Sequence, residues 1–489
     1  MTAAGESEAI RPQEVIRSHS GQGRWRVLCS PTGAINVHPV IRCLRGLPKS
    51  MNRPGYRHGL GCGHLDVLGG SLLIRLASAG LAFGLNMLVA RLAGAEQYGI
   101  YSYVLAWLGL LALVATAGMD VATVKYVAAY CATGAWTRLR GLLVWSRRLV
   151  LTLALLIGGL GALVAVVTWD RPGVPLASAI AAGCAALPFL ALLRLNEARL
   201  EGHRRVLLAQ IPGNILRPAV VAAAATLVFW LPSRSLSAAE GMALQAVALG
   251  AAYATSALLV RRTCPPPTGT GVDHAKTEWL RTALPLGAAA ALHVLMARID
   301  TLLVATLRGM TEAGIYAVAN RTTELIVFGA NAGQVAVRPY VSAFHAGGRK
   351  SELQRAVTTA SRAGAAFALP VCGTLLFWGP EVLGLFGNEF TEGAPAAAVL
   401  AIGYLFVACT CSVDTVMSMA GLQRANTRVL AASLALKVPL AYVAVSRHGV
   451  MGLAAVSSAV MVMRYLGNLY VVRRTLAIEA SAFRSSARR

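Results

Sequence analysis

Long apolar runs alternate with short polar connections through most of the chain. Twelve runs stand out, at residues 67–91, 98–118, 149–168, 175–195, 206–231, 238–260, 281–305, 313–337, 358–379, 393–418, 428–446 and 451–472. About 20 apolar residues in a helix cross a bilayer core. Lipid offers backbone groups no partners, and an open strand leaves them unpaired, so all twelve are predicted as helices. Pro188, Pro212, Pro218, Pro285, Pro370 and Pro439 fall inside runs, where kinks packed against neighbouring helices are expected.

Composition agrees with this pattern. Of 489 residues 56% are hydrophobic and 13% charged, with mean hydropathy +0.60. A soluble domain carries about 25% charged residues. The chain is therefore expected to be an all-α, polytopic membrane protein.

The net charge of +24 raises the question of nucleic acid. The basic residues sit mostly between the runs, though, and read as a topology signal. With the N-terminus in the cytoplasm, 32 of the 45 Lys and Arg fall on the cytoplasmic side and five on the outer connections. That bias sets orientation, so both termini are expected inside and no nucleic-acid partner is. The nine cysteines form no CxxC pair and no metal spacing, so neither a metal nor a cofactor is expected. Residues 1–64 hold no long apolar run and read as a disordered basic tail. The rest divides into a first lobe (65–260), a cytoplasmic linker (261–280), a second lobe (281–474) and a basic tail (475–489).

The lobes echo each other. NMLVARLAGAEQYGIYSYV (86–104) and TLLVATLRGMTEAGIYAVA (301–319) share eight identities at an offset of 215, each joining the first two spans of its lobe. Tyr126-Val127-Ala128-Ala129-Tyr130 and Tyr340-Val341-Ser342-Ala343-Phe344 match at offset 214 after the second span. Six spans per copy is an even number, so the two lobes keep one orientation. They form a parallel repeat with a central cavity, in which a transport site lies between halves that rock around it.

With Arg91, Arg194 and Arg428 at span edges counted among the connections, eight basic residues remain within spans: Arg75, Arg217, Arg281, Arg298, Arg321, Arg362, Lys437 and Arg464. A basic residue at mid-bilayer costs about 2.5–3.5 kcal/mol on the mildest scale, so these should face water or a partner. Arg281 and Arg362 lie near helix ends, within snorkelling reach. Steps of three or four residues share a helical face. By that test Arg75 joins Ser71, Ser78 and Asn86, and Arg217 joins Gln210 and Asn214. Lys437 joins Asn426 and Ser433, and Arg464 joins Ser457 and Asn468. In span 8 Asn320, Glu324, Asn331 and Gln334 share a face with Arg321 at its border. Arg321 and Glu324 are also spaced for an ion pair on their own helix. Arg298 points away from its neighbours His293 and Asp300. Asp300 has a further reading, as the structural partner of a cation from span 1 or 5. Asp414 lies with Thr410 and Ser418.

Four stretches carry a family likeness: LVARLAGAEQYGIYSYVLAW, TALPLGAAAALHVLMARIDTLLVATLRGMTEAGIYAVANR, VRPYVSAFHAGGRKSEL and EVLGLFGNEF. They resemble the polysaccharide-transport branch of the multidrug/oligosaccharidyl-lipid/polysaccharide exporter (MOP) superfamily, over most of residues 65–420. The resemblance implies a two-lobed transporter of twelve to fourteen helices in a bacterial inner membrane. It implies export of lipid-linked oligosaccharides, often on an undecaprenyl diphosphate, with membrane lipids and polysaccharide-assembly proteins as partners. It gives no residue an invariant catalytic role, and no enzymatic activity is expected.

A diphosphate head suits arginine, whose forked donors match phosphate geometry. The expected cavity cations are Arg75, Arg217, Arg321, Lys437 and Arg464, with Arg75 and Lys437 foremost. Asn86, Asn214, Asn320, Asn331 and Asn468 would bond sugar hydroxyls. Outward movement of an anion gains roughly 2.3 kcal/mol per charge per 100 mV; proton coupling through Asp300, Glu324 or Asp414 is the other energy source. No GxxxxGK[ST] sequence is present, against direct use of ATP. Two alternatives compete. A drug/cation antiporter of the same superfamily would want carboxylates in its cavity. A membrane glycosyltransferase or polymerase would want carboxylates on large aqueous loops, and the outer connections are short.

Overall fold

The computed structural model describes residues 63–167, 174–229, 235–265, 275–347, 349–478 and 480–482. Residues 1–62 of the N-terminal tail and 483–489 of the C-terminal tail lie outside them, as do the side chains of Arg75 and Asn331. Among the described residues every regular element is helical, and nine helices are long and apolar enough to cross a membrane.

Two of these are too long for one crossing. Helix α1 (Gly63–Thr116) and the last helix (Gln423–Leu476) have 54 residues each. At 1.5 Å per residue each measures about 80 Å, against a hydrocarbon core of about 30 Å. Each breaks at a glycine with positive φ, Gly94 (φ 75°) in α1 and Gly449 (φ 58°) in the last helix. Spans 1 and 2 share α1; spans 11 and 12 share the last helix. The first lobe continues with α2 (Met119–Thr133), α3 (Trp136–Val167), α4 (Val174–Gly202), α5 (Val206–Ile211), α6 (Arg217–Phe229) and α7 (Ala238–Thr263). The second lobe has α8 (Lys276–Leu307), α9 (Met310–Ala346), α10 (Lys350–Phe377), the short α11 (Gly379–Gly384), α12 (Ala394–Cys409), α13 (Ser412–Met419) and α14 (Gln423–Leu476).

Three elements depart from the expected pattern. Helix α2 occupies a stretch read as connection. It starts after left-handed Gly118 and ends at left-handed Gly134. Its Tyr130 Oη accepts from Trp279 Nε1 at 3.0 Å, and Tyr126 Oη lies 2.8 Å from Thr282 Oγ1, which ties it to the start of span 7. Span 10 is broken between α12 and α13 rather than continuous. Span 5 contains a five-residue π turn, Pro212–Leu216, between α5 and α6. Proline at its start removes a backbone donor, and the Arg217 N–H bonds five residues back, to Pro212.

One buried cluster runs across both lobes, joining Val104, Leu142, Leu187 and Leu249 of the first to Ile315, Val318, Phe386 and Phe390 of the second. Val304, Tyr316, Leu400 and Val445 belong to another of α8, α9, α12 and α14. The repeated phrase marks where the lobes touch. Gly94 and Gly309, 215 apart, both have positive φ. Gly99 and Gly314, also 215 apart, face each other. A Cβ on Gly99 would strike the Met310 carbonyl, and one on Gly314 the Ala95 carbonyl. Small residues let helix backbones approach this closely. The Ala95 N–H also donates to Glu389 Oε2 of the second lobe, at 2.8 Å. Overpacking a tight contact costs typically 1–3 kcal/mol. Gly99→Leu is therefore expected to lower the thermal midpoint of the purified protein. Gly109→Leu, on the same helix with open space around it, should leave it unchanged.

Candidate functional site

The second lobe contains two knots built on aspartates. Asp300 on α8 meets Lys437 Nζ of α14 at 2.8 Å through Oδ1 and 2.9 Å through Oδ2. Ser457 Oγ (2.8 Å) and Tyr316 Oη (2.9 Å) donate to the same Oδ2. Lys437 is 3% exposed. Asp414 on α13 accepts from Arg464 Nη2 (2.9 Å), Tyr465 Oη (3.0 Å) and Asn468 Nδ2 (3.0 Å). Asn468 also reaches Asn426, at 3.0 Å.

These contacts revise several expectations. The partner of Asp300 comes from span 11, not from span 1 or 5. The sequence shows that Lys437 has no acid within a turn on its own helix, but the acid lies on another helix. Lys437 is withdrawn from open space in this conformation, and Arg464 is likewise engaged. Asp300 and Asp414 hold second-lobe helices together. Asn468, fully buried, is part of the second knot rather than of a cavity wall. Asn86 also bonds within the protein, donating to the Ala82 carbonyl at 2.6 Å and accepting from Tyr98 Oη at 3.0 Å.

A different set converges between the lobes. Arg321 and Glu324 form the expected ion pair on α9, at 2.8 Å, with roughly a third of each side chain exposed. Asn320 donates to Glu324 at 3.1 Å and accepts from Tyr404 at 3.1 Å. Arg217 of α6 and Arg298 of α8 lie close enough to Arg321 and to Arg194 of α4 for their charges to act on one another. Tyr98 and Tyr101 of α1 lie in the same field. Among the described residues neither Arg217 nor Arg298 is in an ion pair or a side-chain hydrogen bond. Both are half-buried. Glu197 of α4 sits against the π turn. Its Oε1 occupies the space that a Cβ on Gly213 would need, and it lies within the field of Arg194 and Arg217. Asn214, on the same turn, is exposed. A cleft of about 670 Å³ opens beside this group, lined by Asp120, Lys125, Arg194, Glu197, Glu201 and, from the second lobe, Leu286.

Four arginines and two glutamates from the two lobes thus lie near enough for their charges to act on one another, with positive charge in excess. Arg217, Arg321 and Asn320, expected at a cavity, lie together here with Glu324, expected for proton coupling. Arg298, Arg194 and Glu197 were missed. Arg298 lies off the polar stripe of its own helix, and Arg194 counts with the cytoplasmic basic residues at the end of span 4. The π turn, a feature frequent at functional sites, had Pro212 as its sequence signal.

Two six-helix lobes enclosing a charged group define a multi-pass membrane protein, and the family and fold matches make it a transporter of the MOP superfamily. The family described as Polysaccharide biosynthesis protein matches residues 69–345, more than half the chain, and the chain belongs to it. The MatE family matches residues 285–443. Among solved structures, the chain is similar to the inward-facing conformation of a multidrug resistance MATE family transporter of the MOP superfamily. The TM-score is 0.68 and the identity 14%, over 83% of this chain and 98% of that one. It is also similar to a MOP superfamily transporter from Pyrococcus furiosus, with TM-score 0.57 and 16% identity over 83% of this chain and 94% of that one. That protein is described as having a reverse polarity of binding pocket that suggests a different function. No curated protein matches the chain.

Proposed function

We propose that this protein is a flippase for lipid-linked oligosaccharides carried on a polyprenyl diphosphate. It moves them from the inner to the outer leaflet of a bacterial inner membrane, with both its termini in the cytoplasm. The observation that carries the reading is the arginine group between the lobes: Arg194 and Arg217 from one, Arg298 and Arg321 from the other. A guanidinium left without a carboxylate partner between the lobes suits an anion with paired oxygens. The headgroup is the part that must avoid hydrocarbon, and a site between lobes shelters it while the tail stays in lipid. Rocking of the lobes around the group would expose it to one leaflet and then the other. The family's description, polysaccharide biosynthesis, supports this cargo.

Multidrug transporters share the fold, which makes a cationic cargo the competing reading. An excess of arginines repels such a cargo. The test is a proteoliposome assay with fluorescent farnesyl-diphosphoryl-N-acetylglucosamine, read by chemical quenching of the outer leaflet. Protein-dependent, saturable exchange between leaflets is expected, with no transport of a cationic dye. Dye transport without movement of the diphosphate lipid would reverse the assignment.

A further inference from the structure

The first lobe carries a second group of arginines, apart from the one between the lobes. Arg140, Arg147 and Arg148 of α3, Arg199 of α4 and Arg261 of α7 line two adjoining clefts, of about 510 Å³ and 110 Å³. The clefts share Leu143, Arg147 and Arg199 and so form one groove. Among the described residues no carboxylate lines it. Contacts to α7 hold its walls. Arg147 Nη2 donates to Tyr253 Oη at 3.4 Å, and Asn196 Nδ2 of α4 donates to the buried Ser256 Oγ at 3.0 Å. Arg199 Nε is buried without a hydrogen-bond partner among the described residues. On α3, Arg140, Arg147, Arg148 and Leu151 fall on one face. Leu155 continues that face into the span and is 56% exposed; an exposed leucine there meets hydrocarbon. Arg199 and Glu197, two positions apart, point to opposite sides of α4. The body of that helix therefore separates this groove from the arginine group between the lobes.

We propose that this groove is a binding site for an anionic phospholipid, with its phosphate diesters on the arginines and its chains along Leu151 and Leu155. With the termini in the cytoplasm, that lipid belongs to the inner leaflet. The site stands whether or not the flippase reading does. Arginine forks match the paired oxygens of a phosphate, and basic pockets between spans suit lipid headgroups. Topology alone asks only for basic residues near the ends of spans; here five arginines from three helices converge on one groove. A soluble anion would satisfy the basic end and leave the leucine face unused. Five guanidiniums also exceed what one phosphate can engage. A lipid with two diester phosphates, cardiolipin, should therefore bind tightest, and phosphatidylglycerol with one less tightly. Phosphatidylcholine, whose headgroup carries its own cation, should not saturate the site.

The experiment titrates the full-length protein, delipidated in detergent, with tetraoleoyl cardiolipin and counts bound lipids by native mass spectrometry. One cardiolipin should bind ahead of any others. Arg147→Ala combined with Arg148→Ala, both at exposed positions, should weaken that first binding by about fivefold per charge, roughly 30-fold together. Arg147→Gln alone, with about a fivefold loss, serves if the pair folds poorly. Arg424→Ala combined with Arg428→Ala, an exposed pair on α14, removes as much charge and should leave the binding unchanged. Millimolar inorganic phosphate should not displace the lipid. An equal loss in both pairs would reduce the effect to net charge and overturn the proposal. Wild-type affinity in the folded α3 variants, displacement by inorganic phosphate, or phosphatidylcholine binding as tightly as cardiolipin would overturn it as well.

Discussion

Replacing Asp300 by alanine is expected to destabilise the second lobe by about 3–5 kcal/mol, the usual cost of stripping one partner from a buried ion pair. The knot is buried on both sides: Lys437 is 3% exposed and Asp300 9%. Without the carboxylate, the ammonium keeps only the Met296 carbonyl, at 3.5 Å, and Tyr316 and Ser457 lose their acceptor. Lys437→Glu should be worse still, because it buries two carboxylates against each other. The double variant Asp300→Leu with Lys437→Met removes both charges, and such swaps are often neutral or stabilising. It should recover most of the loss. Thermal unfolding in detergent, followed by tryptophan fluorescence, gives the order: double variant near wild type, Asp300→Ala well below, Lys437→Glu lowest. A midpoint for Asp300→Ala within experimental error of wild type would mean that the pair contributes little. One consequence concerns transport assays. A Lys437 variant that fails to transport does not by that fact identify a phosphate ligand, because the lobe itself is compromised.

The helices were legible because hydrophobic runs of about 20 residues leave the backbone one solution in lipid. The repeat was legible as identical residues, and its reason emerges only in three dimensions. Gly99 and Gly314 recur because each backbone must pass close to the other. The site was half legible. Periodicity finds residues that share a face of one helix, which is how Arg217, Arg321, Asn320 and Glu324 were found. It is blind to partners on other helices. Lys437 and Arg464 lie on polar stripes, as cavity cations would, but their stripes face acids on α8 and α13. Arg298 sits off any stripe, and its neighbours are Arg217 of the other lobe and Arg321 of the next helix. The π turn was visible only as Pro212 followed by Gly213, a pair that fits several local geometries.

Charge reversal at Arg217 or Arg298 should abolish cargo movement while leaving the protein folded. This is the opposite outcome to that at Asp300, and burial explains the difference. Both arginines are half-buried and are in no ion pair or side-chain hydrogen bond among the described residues, so removing either breaks no buried hydrogen bond. Two unit charges 4 Å apart at an effective dielectric constant of about 20 interact by about 4 kcal/mol. Turning that attraction for a phosphate into repulsion should weaken cargo binding by at least about 10³-fold. Arg217→Ala and Arg298→Ala lose a charge-assisted hydrogen bond of about 1.5–3 kcal/mol, or roughly ten- to a hundredfold each. Arg217→Lys should retain part of the binding, since a point charge replaces the fork. Binding of the same farnesyl diphosphate probe, alongside thermal unfolding, separates the two effects. If either glutamate variant keeps the wild-type affinity with an unchanged unfolding midpoint, the anion is held elsewhere and Arg75 becomes the next residue to reverse.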